Sequence, residues 1–177
     1  KAFTQILADL ADEKYPPRKQ DLRALSDLNA KQTAAFVEAW PKIPAARRLT
    51  IMTELGELAE ETFDLDIRAV ARAALNDPDG EVRASAIRNL WEGEDVDLID
   101  ILITVLNRDP APEARAAAAT ALGQYVFLGQ MEELDPALVR KGEDMLLSIY
   151  AGADTLDIRR RALESIGFAD RPEVTAA

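Results

Sequence analysis

The stretch Asp77–Leu90, with the sequence DPDGEVRASAIRNL, decides the fold because the rest of the chain repeats its form. An Asp-Pro turn is followed, five residues after the proline, by an arginine that opens a helix with small or apolar inward-facing residues. Asp109–Leu122 (DPAPEARAAAATAL) repeats this form closely. Lys42–Leu55 (KIPAARRLTIMTEL) and Ala153–Ile166 (ADTLDIRRRALESI) repeat it more loosely. Four copies predict a repeat protein.

One arginine of each copy falls in the same column of the alignment. These arginines are Arg48, Arg83, Arg115 and Arg159, at spacings of 35, 32 and 44 residues. Such periods are typical of helical hairpins that stack into solenoids. We therefore predict an all-α fold, a right-handed α-α superhelix of about four hairpins.

The predicted domain organisation is one continuous array with a helical cap. Residues 1–28 hold two short amphipathic helices, separated by Tyr15-Pro16-Pro17, which cover the first hairpin. The array spans 29–174, with hairpins at about 29–62, 63–94, 95–134 and 135–168. About ten additional residues after Gly123 are interpreted as a helix extension and a loop.

The composition restricts the chemistry that is available. The chain of 177 residues contains no cysteine and no histidine, which removes disulfides, thiol catalysis, cysteine zinc sites and the commonest general base. We predict no catalytic residues, no cofactor and no metal site. A net charge of −11 disfavours nucleic acid and anionic membranes. Without a spanning or signal segment, a cytoplasmic location is expected.

The pattern of Asp-Pro in the turn, Arg six residues after the Asp, and small residues with Leu on the second helix resembles the HEAT repeat. The strings LWEGEDVDLIDIL and ARAAAATALG are also similar to uncharacterised bacterial HEAT-repeat proteins. The resemblance implies a polar ladder of turn aspartates and helix arginines between neighbouring repeats, a role that matches Asp77 with Arg83 and Asp109 with Arg115. Arg159 belongs to the same column, although Ala153 stands at its aspartate position.

A candidate binding face follows from the 3.6-residue helical period, because the second helix of each hairpin leaves one side open opposite its core side. Solenoids use such a face, on their concave side, to bind partners. Its predicted residues are Thr50, Thr53, Glu57, Glu81, Ser85, Arg88, Glu92, Thr120, Gln124, Arg161, Glu164 and Phe168. Because they are mostly small and polar, we expect a non-catalytic scaffold that binds a protein or peptide.

The alternative is an enzyme or a nucleic-acid-directed protein, since DNA glycosylases and bilin lyases resemble the same architecture. A glycosylase requires a basic groove with aromatic wedges. The predicted face supplies only Arg88, Arg161 and Phe168, so this alternative ranks second.

Three local features have competing interpretations. The arginine column could bind phosphate, but the ladder explains it better. Asp77–Glu81 has some likeness to a calcium loop, but its glycine comes too early, and turn and cap roles are favoured. Trp40 and Trp91 could be interface anchors, but packing at the ends of helices is favoured.

The last hairpin is predicted to expose an apolar face. Leu163 and Ile166 belong to its second helix, and Arg171–Ala177 is too short and polar to cover them. We expect either that the natural protein continues with further repeats or that a largely monomeric chain associates weakly through this end.

Overall fold

The computed structural model describes residues 1–62, 64–90 and 95–175, and every regular element within these ranges is a helix. The all-α prediction is therefore confirmed. Contacts divide the chain into two compact units, Lys1–Leu90 and Trp91–Ala177.

The first unit contains two helical hairpins with two short helices packed against them. Its helices are α1 (Phe3–Ala11), α2 (Lys19–Arg23), α3 (Ala30–Ala39), α4 (Ala45–Glu61), α5 (Arg68–Ala74) and α6 (Gly80–Arg88), with a 3₁₀ turn at Trp40–Lys42. Helices α3 and α4 form one hairpin, and α5 and α6 form the next. First helices pack together, α3 against α5, and second helices pack together, α4 against α6. Helix α1 contacts α3, and α2 contacts α4.

Side-chain caps and apolar stripes explain the helices of the first unit. Asn29 and Gln32 form a capping box, so both groups satisfy backbone N–H donors at the start of α3. The Asp79 carboxylate accepts from the N–H groups of Glu81 and Val82 at the start of α6. Trp40 is buried, in agreement with the packing interpretation, whereas Trp91 lies outside the described residues.

The second unit repeats the arrangement with longer helices. They are α7 (Asp97–Arg108), α8 (Pro112–Gln130), α9 (Pro136–Ala151), α10 (Leu156–Ile166) and α11 (Pro172–Thr175). Helices α7 and α8 form one hairpin, and α9 and α10 form the next; α7 packs on α9, and α8 on α10. The residues added after Gly123 mainly lengthen α8, which runs unbroken to Gln130.

The segment after α10 packs more closely than its polarity suggests. Ile166 is completely buried, and Leu163 is partly buried. Arg171 is also buried, and its Nη1 lies 2.6 Å from Asp144 Oδ1 and 3.3 Å from Glu143 Oε2 on α9. The hydrogen bond to Asp144 raises the pKa of Arg171 above its ordinary value. The expectation that Ile166 is left uncovered is therefore wrong, because ion pairs bring this polar segment onto α9.

A glycine allows the second helices of this unit to lie close together. A Cβ atom at Gly123 of α8 would lie 2.9 Å from Ser165 Cβ and 3.1 Å from Ser165 Cα on α10. Both residues are buried. Since no side chain fits between these backbones, Gly123 and Ser165 fix the level at which α8 meets α10.

We predict that Gly123→Ala destabilises the protein even though alanine favours helices. The new methyl group must push the α10 backbone away, and such overpacking costs about 1–3 kcal/mol, against a gain of up to about 1 kcal/mol in helix propensity. Gly142→Ala is the matched control, because its Cβ would meet only the flexible end of Leu122, at 3.3 Å. Urea titrations should rank Gly123→Ala below Gly142→Ala, and the opposite order would contradict the close approach.

Candidate functional site

A buried ion pair joins the two hairpins of the first unit. Arg48 Nε and Nη2 on α4 donate to Asp77 Oδ2 and Oδ1, at 2.8 and 2.9 Å. The Arg48 side chain is 6% exposed, and that of Asp77 is 0% exposed. Trp40 Nε1 also donates to Asp77 Oδ2 at 2.7 Å, and the N–H of Asp79 donates to Oδ1. The Asp77 carboxylate therefore links the first hairpin to the turn of the second.

The second unit has an equivalent pair between its hairpins. Arg115 Nη1 on α8 donates to Asp154 Oδ1 at 3.0 Å, and Nη2 donates to Oδ2. The two side chains are mostly buried. The hydrogen bond from Arg115 lowers the pKa of Asp154, helped by the N–H of Thr155. In both units, the arginine of one hairpin binds the turn aspartate of the next, an arrangement that we call the arginine–aspartate ladder.

These contacts correct the predicted pairing within each copy. Arg83 Nη1 donates to the backbone carbonyl of Asp77 at 2.7 Å, while the Asp77 carboxylate binds Arg48. Arg115 binds Asp154 rather than Asp109, whose carboxylate accepts from the N–H of Ala111. The aspartate that appeared to be missing from the last copy is Asp154, one position after Ala153, because that turn is one residue shorter.

The arginines of the aligned column also join the two helices of their own hairpins. Arg115 Nε donates to the carbonyl of Leu106 at 2.7 Å, and Arg159 Nε donates to that of Tyr150 at 2.8 Å. Both carbonyls belong to the last turn of a first helix, where acceptors have no partner within the helix. The guanidinium of Arg159 also lies over the Tyr150 ring, 5.9 Å from its centroid. Each of these arginines donates to an acceptor within the fold, which argues against a phosphate-binding stripe.

The predicted binding face of the first unit is partly present. Thr50, Thr53 and Glu57 lie along one side of α4, and Thr53 and Glu57 are exposed. On α6, Glu81 and Arg88 are exposed as predicted.

Ser85 is not on this face, because it is 4% exposed. Val82, Ala84, Ala86 and Ile87 are buried as well, so α6 is covered around most of its circumference. A helix with more than one covered side has no single opposite face, and the period therefore misplaces Ser85. Glu92 lies outside the described residues.

The second unit brings its predicted face residues together on α8 and α10. Thr120 and Gln124 are exposed on α8, Glu164 is exposed and Arg161 half-buried on α10, and Phe168 follows α10. One exposed residue of this surface, Phe127, is absent from the predicted set. Phe127 is 42% exposed and packs edge-to-face on Phe168, with ring centroids 5.6 Å apart. We call this surface the α8–α10 face: Thr120, Gln124, Phe127, Arg161, Glu164 and Phe168.

Phe127 could have been found from the helical period alone. It lies seven residues after Thr120 and three after Gln124, so an uninterrupted α8 places all three on one side. The prediction of a helix extension and a loop after Gly123 leaves the predicted stripe ending at Gln124.

The charged side chains of the α8–α10 face differ in their partners. Glu164 pairs with exposed Arg160, which also binds Asp157. Arg161 takes part in no hydrogen bond or ion pair with any residue that the structure describes, and its Nε is buried without an acceptor. A small cleft adjoins the end of α8, lined by Gln130, Arg140, Asp170 and Arg171 among others.

Metal binding finds little support in the described ranges. Within 1–62, 64–90 and 95–175, no three acidic side chains are grouped so that they could hold a metal ion. Both aspartates of the suspected calcium loop serve the turn: Asp77 binds Arg48 and Trp40, and Asp79 caps α6. None of the helices in these ranges has the length and apolar character needed to cross a membrane.

Comparison with known families agrees with the paired helices. A family model of HEAT repeats matches residues 67–141, which run from just before α5 into α9. This part of the chain is therefore similar to HEAT repeats. Searches of characterised proteins and of solved structures give no significant match to it. HEAT repeats commonly act as protein-interaction scaffolds.

We predict that the cost of removing an arginine follows its burial. Arg48→Ala leaves a fully buried carboxylate without its charge partner, a loss of about 3–5 kcal/mol. Arg115→Ala leaves the less buried Asp154 and should cost about 1–3 kcal/mol. Arg160→Ala removes only exposed pairs and should change stability little. Denaturant titrations of the three variants measure this order, and equal effects would disprove the structural role of the ladder.

We also predict that the contribution of Asp154 to the free energy of unfolding depends on pH. Because Arg115 lowers its folded-state pKa below the unfolded value of about 3.9, the pair stabilises the protein above about pH 4, and this contribution is lost as the pH falls through the folded-state pKa. Asp154→Asn should therefore be less stable than the natural chain at pH 7, and the difference should shrink towards pH 2. Asp157→Asn, which alters an exposed pair, is the control. A difference independent of pH would contradict the assignment.

Proposed function

We propose that this protein is a non-catalytic scaffold that binds a protein or peptide segment along its second helices. The observation that carries the proposal is the α8–α10 face. Two adjacent helices present a row of polar side chains that ends in an exposed aromatic pair, Phe127 and Phe168. Exposed aromatic rings beside polar groups are characteristic of protein interfaces.

The charges of the chain favour a protein partner over nucleic acid. A net charge of −11 opposes association with a polyanion, and binding to DNA depends on many Lys or Arg contacts with phosphates. On the α8–α10 face, only Arg161 offers a guanidinium, and the neighbouring Arg160 is engaged by Asp157 and Glu164.

The ionisable groups with shifted pKa values also support a binding role over catalysis. Active sites use burial and like charges to move pKa values towards the working pH. The shifts that are resolved in the described part of the chain lower the pKa of acids and raise that of bases, away from neutrality, beside ion-pair partners. The clearest examples are Asp154 with Arg115, Asp66 with Arg68, and Arg171 with Asp144. Such shifts reflect structural pairing.

The proposal is tested by selecting binders from a displayed library of random peptides, followed by hydrogen exchange with the best binder. We expect protection of α8 and α10, or of the α4 stripe at Thr50, Thr53 and Glu57. A parallel titration with duplex DNA at low and high salt tests the alternative. Failure to enrich any peptide, or tight DNA binding that weakens steeply with salt, would overturn the proposal.

A further inference from the structure

We propose that the α8–α10 face binds an extended peptide segment with one carboxylate and one bulky apolar side chain, placed three residues apart. This inference rests on the proposed scaffold function and specifies the partner at the same surface. The carboxylate binds Arg161, and the apolar side chain packs on Phe127 and Phe168.

Two contacts fix the register of the helices on this face. Gly123 of α8 contacts Ser165 of α10. Phe127, four residues after Gly123, contacts Phe168, three residues after Ser165. The two helices therefore run in the same direction, and residues at matching offsets from Gly123 and Ser165 lie at about the same height along them. Counting back one turn from Gly123 and Ser165 places Thr120 level with Arg161.

The face consequently has three successive levels. They are Thr120 with Arg161, Gln124 with Glu164, and Phe127 with Phe168. The first level offers a guanidinium beside a small side chain, and the last offers aromatic rings.

Arg161 differs from the arginines beside it in lacking an acceptor. Arg159 donates to the carbonyl of Tyr150, and Arg160 binds Asp157 and Glu164. In the described residues, the buried Nε of Arg161 has no hydrogen-bond acceptor, and the side chain as a whole is half-buried. Partial removal of a charged group from water is unfavourable unless it is paired, so a carboxylate from a partner would be bound there. Arginine and carboxylate form paired hydrogen bonds of good geometry.

The aromatic pair provides the second contact. Phe127 is 42% exposed and Phe168 is 57% exposed, and their edge-to-face packing holds each ring in place. Burying exposed ring surface under an aliphatic or aromatic side chain is favourable, at roughly 25 cal/mol per Å². Since the rings are already ordered against each other, little further ordering is required on binding.

The distance between the two contacts sets the spacing in the partner. Thr120 and Phe127 are seven residues apart in one continuous helix, which corresponds to about 10 Å at 1.5 Å per residue. An extended chain in the polyproline II conformation advances about 3.1 Å per residue and completes one turn in three residues, so side chains three positions apart lie on the same side. A side chain over Arg161 and one over the phenylalanine pair therefore belong to residues that are three positions apart.

The surrounding carboxylates limit the partner to few negative charges. Glu132 and Glu133 follow the end of α8, and Asp170 follows Phe168; none of them has an ion-pair partner in the described part of the chain. Arg140 shares the cleft with Asp170 and offsets part of this charge. A second carboxylate near the aromatic end would be repelled, which separates the proposed segment from a polyacidic one.

The test uses labelled synthetic peptides of roughly nine residues with a Gly-Ser background, a length that spans the face in extended form. One peptide carries Glu and Leu three positions apart, and a second carries them in the reverse order. Three controls change Glu to Gln, change Leu to Ser, or place Glu and Leu side by side. Fluorescence anisotropy against the full chain should show binding in at least one order, weakened about tenfold or more in each control.

Matched protein variants show which residues of the protein bind the two peptide side chains. Arg161→Gln should weaken the Glu-Leu peptide about tenfold and leave the Glu-to-Gln control peptide unchanged, whereas Arg160→Gln should have little effect on either. Phe168→Ser should abolish binding, and Tyr15→Ser, at an exposed aromatic of the first unit, should not. Thermal melts by circular dichroism verify that each variant folds. Should Arg161→Gln fail to fold, Arg161→Lys, which keeps the charge and loses the paired geometry, replaces it.

The possible results separate this inference from the proposed function. If library selection yields peptides that protect α8 and α10 but need neither a carboxylate nor an apolar residue at this spacing, the inference is wrong and the scaffold function stands. If the designed peptides fail to bind in both orders, or bind equally well with the controls, the inference is likewise overturned. If Arg160→Gln abolishes binding and Arg161→Gln does not, the peptide carboxylate binds Arg160, and the proposed contact with Arg161 is wrong.

Discussion

The buried pair of Arg48 and Asp77 is the interaction on which the first unit depends. A carboxylate with no exposed side-chain surface is tolerated only when it is neutralised and hydrogen-bonded, and here Arg48, Trp40 and the N–H of Asp79 meet that need. These donors come from two successive hairpins, so the pair can form only when the hairpins are stacked in one register. Arg115 and Asp154 impose the same condition on the second unit.

The stacked register determines what the second helices expose. Because the ladder lies at the turns and Gly123 brings α8 against Ser165, the exposed side of α8 and α10 becomes a narrow surface with side chains at equal levels. The aromatic pair and the guanidinium of Arg161 are thereby held a fixed distance apart. A repeat protein can in this way define a binding site without a deep pocket, since its rigidity comes from the stacking of its neighbours.

The sequence predicted the helices better than the side-chain contacts between them. Asp-Pro turns and the apolar periods are local signals, and every regular element in the described residues is a helix, as they predict. The pairing of Arg115 was wrong because an aspartate six residues away and one in the next hairpin look equally suitable in a sequence. Ser85 was misplaced for a related reason, since its burial depends on how many sides of α6 are covered. Phe127 was missed although the helical period of α8 places it on the same side as Thr120 and Gln124.

The central claim is that the arginine of one hairpin holds the aspartate of the next. A double-mutant cycle in denaturant between Arg115→Ala and Asp154→Ala measures this directly, with the cycle between Arg115→Ala and Asp109→Ala as its control. The account predicts a coupling free energy of about 0.5–3 kcal/mol for Arg115 with Asp154, and a value within about 0.5 kcal/mol of zero for Arg115 with Asp109. Strong coupling to Asp109 and none to Asp154 would show that the ladder closes within each hairpin, contrary to the account.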